Sequence, residues 1–136
     1  FRRWLPLALA AREFGGVVHH LAEGLEPAGS GVFALPGFDE YLLGYQDRTP
    51  QLAPEHIERI LPGRNGVFQP TIVQDGEVIG TWKRTLTARE VALTADLFAG
   101  SGDRVTRGVE REGQRYAGFL GRKVTGRPAR PPRTAS

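Results

Sequence analysis

The sequence predicts an α+β fold in which a small antiparallel sheet carries a helix at its C-terminal end. Two β-branched segments, 66–74 and 77–84, flank Asp75-Gly76, a dipeptide that suits a tight hairpin turn because both central residues need positive φ. A third strand-like segment, 90–97, follows a short polar loop and completes an antiparallel meander or partial barrel. Residues 103–120 then place apolar side chains at helical spacing, and we expect this helix to pack on the sheet.

The N-terminal residues 1–26 predict a helical segment. Its apolar residues recur at spacings of three and four: Leu7, Ala10, Phe14, Val18, Leu21 and Leu25. Gly15-Gly16 should break the segment into two shorter helices. Its cations, Arg2, Arg3 and Arg12, fit a recognition helix whose arginines contact DNA phosphates. The alternative, which the residues alone favour, is an amphipathic helix whose charged side faces solvent.

Residues 27–121 predict the sheet domain. A Pro/Gly/Ser linker leads into a short strand at 32–35, and Asp39 stands where a helix N-cap would precede one helical turn. Asp39, Glu40 and Asp47 could serve as general acids or bases. However, Asp39 has a capping role available and Asp47 has Arg48 beside it. We therefore expect no catalytic residue here, and we expect a structural group to order the turn that anchors the sheet: Asp39, Tyr41, Tyr45, Asp47 and Arg48.

Two further motifs flank the first meander strand. Residues 54–61 predict a short helix, and Asn65 before Gly66 is typical of a turn, which makes a structural role for Asn65 the favoured interpretation over ligand binding. Trp82 stands beside Lys83 and Arg84. Either an exposed tryptophan stacks on a base while the cations hold a phosphate, or the tryptophan is buried and only the cations reach solvent.

The composition limits the possible functions. At 136 residues the chain fits one domain, and it contains no cysteine and no apolar run near the ~20 residues of a membrane span. No Cys/His spacing supports a metal, and we expect no cofactor. The tail 122–136 holds five of the 18 bases and no acid, and its proline content predicts disorder. Residues 1–121 therefore carry 13 bases against 15 acids, so a DNA-binding surface would have to be a local patch.

Three sequence blocks resemble one known family. These are Leu35-Pro36-Gly37-Phe38-Asp39-Glu40-Tyr41-Leu42-Leu43-Gly44-Tyr45-Gln46-Asp47-Arg48, then Pro62 to Thr71, then Asp75-Gly76 with Val78 to Arg84. They are similar to the C-terminal part of the winged-helix DNA-binding-domain proteins of actinobacteria that are related to AlkZ-type DNA glycosylases. Phe1-x-x-Trp4 followed by Ala11-Arg12-Glu13 resembles the third winged helix of that family.

The resemblance implies tandem winged helices on a β-rich scaffold that bind duplex DNA. Glycosylase members of the family remove alkylated bases, including those in interstrand cross-links, with a Gln-x-Gln pair and no metal. This chain has glutamines at 46, 51, 69, 74 and 114, so it contains no Gln-x-Gln. We therefore expect it to be a piece of a longer cytoplasmic protein that binds DNA here and carries any glycosylase chemistry upstream.

The predicted DNA contacts are six cations: Arg2, Arg3, Arg12, Arg64, Lys83 and Arg84. The alternative is a non-catalytic interaction module that scaffolds neighbouring domains and never touches DNA. A discriminating observation is whether Arg64, Lys83 and Arg84 share one exposed face, which favours DNA, or are dispersed, which favours the scaffold. A third alternative is a stand-alone hydrolase, which would need Asp39 and Asp47 in one cleft with a raised pKa in at least one.

Overall fold

The computed structural model describes residues 8–14, 16–25, 30–100 and 102–125, and it has the predicted α+β fold. A two-stranded sheet precedes a curled five-stranded sheet, with strand order β3-β4-β5-β6-β7, on which a helix packs. The elements in chain order are β1 (Leu9–Phe14), β2 (Val17–Ala22), β3 (Val32–Leu35), α1 (Glu40–Leu43), a 3₁₀ turn (Pro54–His56) leading into α2 (Ile57–Ile60), a second 3₁₀ turn (Pro62–Arg64), β4 (Thr71–Gln74), β5 (Glu77–Leu86), β6 (Glu90–Leu97), α3 (Asp103–Phe119) and β7 (Lys123–Val124).

The prediction of a helical segment at 1–26 was wrong for the part of it that the structure describes. Strands β1 and β2 form an antiparallel hairpin in which Arg12 lies opposite His19 and Ala11 opposite His20. Gly16, at φ 80°, belongs to the turn of this hairpin, so it lies where the chain reverses and does not divide a helix. β-Branched Val17-Val18 favours the strand. Residues 1–7 lie outside the described part of the chain.

The meander around Asp75-Gly76 is confirmed. Asp75 has φ 52° and Gly76 has φ 93°, so both central residues have the positive φ that the dipeptide predicted. Strand β5 pairs with β4 on one side and with β6 on the other, both antiparallel, and β3 pairs with the far side of β4. The predicted strands therefore form one continuous sheet.

The five-stranded sheet separates two apolar clusters, one on each face, and a β-bulge changes which face the residues of β5 join. Ile72 is paired with Gly80 and Val73 with Val78, so Ile79 is an extra residue on β5. Beyond the bulge, Trp82 joins a cluster under α3 that also contains Val32, Ile72, Leu93, Ala95, Leu97, Val105 and Val109. Val78 instead joins a second cluster with Leu42, Leu52, Ile60, Phe68 and Val73. Both faces of β4 are thus covered, which explains why both of its faces are apolar.

Helix α3 approaches β3 closely because residue 108 is glycine. A Cβ at Gly108 would lie 2.4 Å from the Cβ of Val32, a distance at which something must move. The buried side of the helix carries Val105, Val109 and Ala117. The helix therefore packs closely against the edge strand β3 both because Gly108 has no side chain and because its buried side is apolar.

The predicted disorder of the tail is wrong for its first residues. Strand β7 pairs in parallel with β6 at Lys123 and Val124. Gly121, at φ 62°, redirects the chain after α3, and the backbone N–H of Thr125 donates to Val91 O at 2.9 Å. Residues 126–136 lie outside the described part. No helix within the described ranges is long and apolar enough to cross a membrane.

Candidate nucleic-acid interface

The turn around Asp39 ties helix α1 to the central hairpin. Asp39 Oδ1 accepts a hydrogen bond from the backbone N–H of Tyr41 at 2.9 Å, which is a capping contact. The Tyr41 hydroxyl donates to Gly76 O at 2.5 Å, and burial raises the pKa of Tyr41, with Tyr45 and Glu77 adding to the shift. These contacts hold the Asp75-Gly76 turn in place and leave Asp39 occupied with the helix cap.

Arg48 and Asp47 do not pair with each other. Arg48 Nε donates to Leu42 O at 2.6 Å, and its guanidinium lies 5.3 Å from the centre of the Phe68 ring. Asp47 accepts hydrogen bonds from the backbone N–H and the hydroxyl of Thr49 at 2.9 and 2.7 Å. These bonds lower the pKa of Asp47, the direction opposite to the one a general acid needs at neutral pH.

Asn65 lies in a local turn. Its Oδ1 accepts a hydrogen bond from the backbone N–H of Val67 at 3.0 Å, and Gly66 follows at φ 81°. The Asn65 oxygen is therefore used within the loop. The side chain of Arg64 lies outside the described part, so its proposed DNA contact remains a proposal.

Trp82 is buried, with 8% of its surface exposed. Its indole N–H donates to Leu35 O at 2.7 Å, and its ring meets Tyr116 edge to face with 6.0 Å between centroids. The Trp82 side chain belongs to the core cluster under α3. Of the two alternatives for this motif, the structure has the buried tryptophan.

Lys83 and Arg84 lie on opposite faces of β5, because successive side chains of a strand alternate. Arg84 lies on the α3 side, where it donates to the Tyr116 hydroxyl and its guanidinium stands 6.0 Å from the centre of that ring. Lys83 is exposed on the other side. The two cations therefore do not form one flat patch.

Arg12 lies on the exposed hairpin β1–β2, whereas Arg2 and Arg3 fall outside the described residues. The hairpin exposes apolar side chains: Leu9 (51%), Val17 (57%) and Val18 (58%). An isolated two-stranded hairpin is at best marginally stable in water. A ribbon of this kind therefore has surface available for a partner on both of its faces.

Sequence reasoning missed the link between the central turn and α3. Arg104 donates to Asp75 through both terminal nitrogens, at 2.8 and 2.9 Å, and this bidentate pair lowers the pKa of Asp75. The two residues are 29 positions apart, so no local pattern signals the contact. Asp75 thus has a tertiary role in addition to its role in the turn.

An apolar groove lies between β3 and the C-terminal half of α3. Its volume is about 470 Å³, and Arg84 and Arg115 stand among its lining residues together with Phe33, Leu35, Trp82, Tyr116 and Phe119. Phe119 is 85% exposed. An apolar surface of this kind is a feature of interaction sites.

The fold and these surfaces define an α+β module with local cationic surfaces. Its structure is similar to the Streptomyces sahachiroi DNA glycosylase AlkZ, with a TM-score of 0.61, 27% sequence identity, and coverage of 90% of this chain and 33% of that chain. The curated interstrand DNA cross-link repair glycosylase of Streptomyces sahachiroi is 36% identical over 66 residues, which are 48% of this chain and 17% of that protein.

The family model described as DNA glycosylase AlkZ-like matches residues 4–119. The chain therefore belongs to the AlkZ-like DNA glycosylase family, as the sequence blocks at 35–48, 62–71 and 75–84 indicated. It spans a third of the length of the solved relative and about a sixth of the curated one.

Proposed function

We propose that this chain is the duplex-DNA-binding portion of a DNA glycosylase-like repair protein and that catalysis is carried by residues outside it. The family is that of DNA glycosylases. The chain has no Gln-x-Gln, and the candidate acid Asp47 has a lowered pKa. Both facts favour a binding role for this portion over a hydrolytic one.

The proposed substrate of the whole protein is DNA that carries alkylated or cross-linked bases. The curated relative is described as an interstrand cross-link repair glycosylase. A cytoplasmic location, where bacterial DNA lies, belongs to the same proposal. Glycosylases must extrude the target base from the duplex, so a protein of this kind needs strong contacts with the phosphate backbone around the lesion.

The observation that carries the proposal is the exposed hairpin β1–β2 with Arg12 on it. A two-stranded ribbon is the form of the wing in a winged helix, so we propose that this hairpin is such a wing and that Arg12 contacts a phosphate. Arg12 makes no ion pair with a carboxylate of the described residues. Arg2, Arg3 and Arg64 remain further proposed contacts.

The test is the salt dependence of duplex binding by the 136-residue chain. We expect affinity to fall as salt rises, and Arg12→Gln to reduce the slope of log K against log salt by about 0.9. Glu13→Gln is the matched control, since it changes the neighbouring exposed residue and should not lower the slope. An undiminished slope in Arg12→Gln contradicts the role of Arg12, and the absence of salt-dependent binding in the wild type contradicts the DNA-binding function.

The second candidate function is a scaffold for neighbouring domains, which the apolar groove with its exposed Phe119 favours. Lys83 and Arg84 face opposite ways and so do not share one exposed face, which supports the scaffold as well. This function predicts that Phe119→Ser leaves duplex binding intact and weakens association with the remaining part of a longer protein. Loss of duplex binding in Phe119→Ser would count against it.

A further inference from the structure

We infer that the outer end of hairpin β5–β6, together with β7, is a second phosphate-binding surface for duplex DNA. This surface, the basic end, consists of five cations: Lys83, Arg84, Arg89, Arg122 and Lys123. The inference rests on the proposed DNA-binding function and deepens it, because it adds a contact surface on a different sheet from Arg12.

Two long-range hydrogen bonds assemble the basic end. The backbone N–H of Lys123 donates to Arg89 O at 3.0 Å. Arg122 Nη1 donates to Thr87 O at 2.7 Å, which joins residues 35 positions apart. Strand β7 therefore returns the chain after α3 to the tip of the hairpin and brings cations from both segments together.

The charge of the basic end is not neutralised by ion pairs. Within the described ranges, the cations within 4.0 Å of a carboxylate are Arg59, Arg104 and Arg111, and none of them belongs to the basic end. Its nearest acid in the strand register is Glu90, opposite Lys123, with which it makes no ion pair. Like charges gathered in one place repel each other, so a polyanion that neutralises them is bound favourably.

The shape of the basic end suits a groove with phosphates on both sides. Every residue from 83 to 89 is exposed, and Lys83 and Arg84 face opposite ways. The major groove of duplex DNA, about 12 Å wide, admits a two-stranded ribbon between its two phosphate backbones. Cations that face opposite ways do not suit one flat contact with DNA, but a ribbon that enters the groove meets a phosphate backbone on each of its faces.

The experiment compares the 136-residue wild type with Arg89→Gln/Lys123→Gln. The Arg89 and Lys123 side chains make no polar contact in the described part of the chain, so the fold should persist. We expect duplex affinity to fall roughly tenfold and the salt slope to shrink by about 1.8, or 0.9 for each phosphate contact. Arg107→Gln/Arg111→Gln, on the exposed side of α3, removes the same charge and should stay near wild type. The exchange Arg89→Lys/Lys123→Arg should keep the slope.

Four other outcomes would each contradict a stated part of the proposals. A wild-type slope in Arg89→Gln/Lys123→Gln, with the slope reduced in Arg12→Gln, overturns the basic end and leaves the proposed function standing. If the control variant in α3 loses as much duplex affinity as Arg89→Gln/Lys123→Gln, only the net charge matters, and the basic end is overturned as well. If the wild type binds polyglutamate as tightly as duplex DNA, and Arg89→Gln/Lys123→Gln weakens both complexes equally, the ligand of the basic end is an acidic protein and not DNA. No salt-dependent wild-type binding overturns both proposals.

Discussion

At the scale of the residue, Asp75 performs two roles that the sequence shows only in part. Its positive φ closes the central hairpin, and its carboxylate receives both terminal nitrogens of Arg104 from the start of α3. The first role is local and follows from the Asp-Gly dipeptide. The second depends on where α3 begins relative to the sheet, so it required the tertiary structure.

The pair of Asp75 and Arg104 predicts a stability that depends on pH. The pKa of Asp75 is lowered in the folded chain, so its contribution is present at neutral pH and is lost as the pH falls through the folded pKa. Asp75→Asn keeps a residue that tolerates positive φ but loses the charge. We expect urea unfolding to show a small loss of stability at pH 7 that disappears in acid.

Arg104→Gln is the partner control for this prediction. A double-mutant cycle with Asp75→Asn should give a coupling free energy that is present at pH 7 and absent in acid. A stability loss of the same size at every pH would contradict the electrostatic explanation and point to the turn alone.

At the scale of the element, α3 depends on a glycine that faces β3. The apolar spacing from Val105 to Leu120 predicted the helix, and the structure has it at Asp103–Phe119. From the spacing alone, Gly108 is expected to weaken the helix, since glycine lowers helix propensity. In the structure Gly108 is buried against Val32, so its role is close packing.

Two glycine substitutions in α3 should have opposite effects. Gly108→Ala places a Cβ at 2.4 Å from Val32 and should destabilise the chain by about 1–3 kcal/mol. Gly118→Ala meets no atom within 4 Å and should stabilise the helix by up to about 1 kcal/mol. Thermal unfolding of both variants measures the difference. A Gly108→Ala variant as stable as Gly118→Ala would show that α3 does not need this close approach.

At the scale of the whole molecule, the two sheets differ in how they are stabilised. The five-stranded sheet is covered by α3 on one face and by the cluster around Leu42 and Ile60 on the other. The hairpin β1–β2 is mostly exposed and belongs to a separate sheet. We therefore expect the hairpin β1–β2 to unfold locally more easily than the five-stranded sheet.

Hydrogen exchange of the free chain should show this inequality directly. Amides of β2, such as those of Val18 and Leu21, should exchange much faster than amides at the paired centre of β5, because few buried contacts hold the hairpin. If the proposed DNA contact of Arg12 is correct, adding duplex DNA should slow exchange in the hairpin. Unchanged exchange on saturation with duplex would contradict that contact.

The sequence by itself determined the meander, the helix at 103–120 and the family, because turn chemistry, periodicity and a specific residue pattern act over short distances. It did not determine that residues 9–22 form a hairpin, since short apolar spacings fit a helix and a ribbon equally and glycine can end either one. Nor did it determine the burial of Trp82, the bidentate ion pair between Asp75 and Arg104, or the assembly of Arg89 with Arg122 and Lys123. Those contacts join residues far apart in the chain, and only packing of the sheet against α3 brings them together.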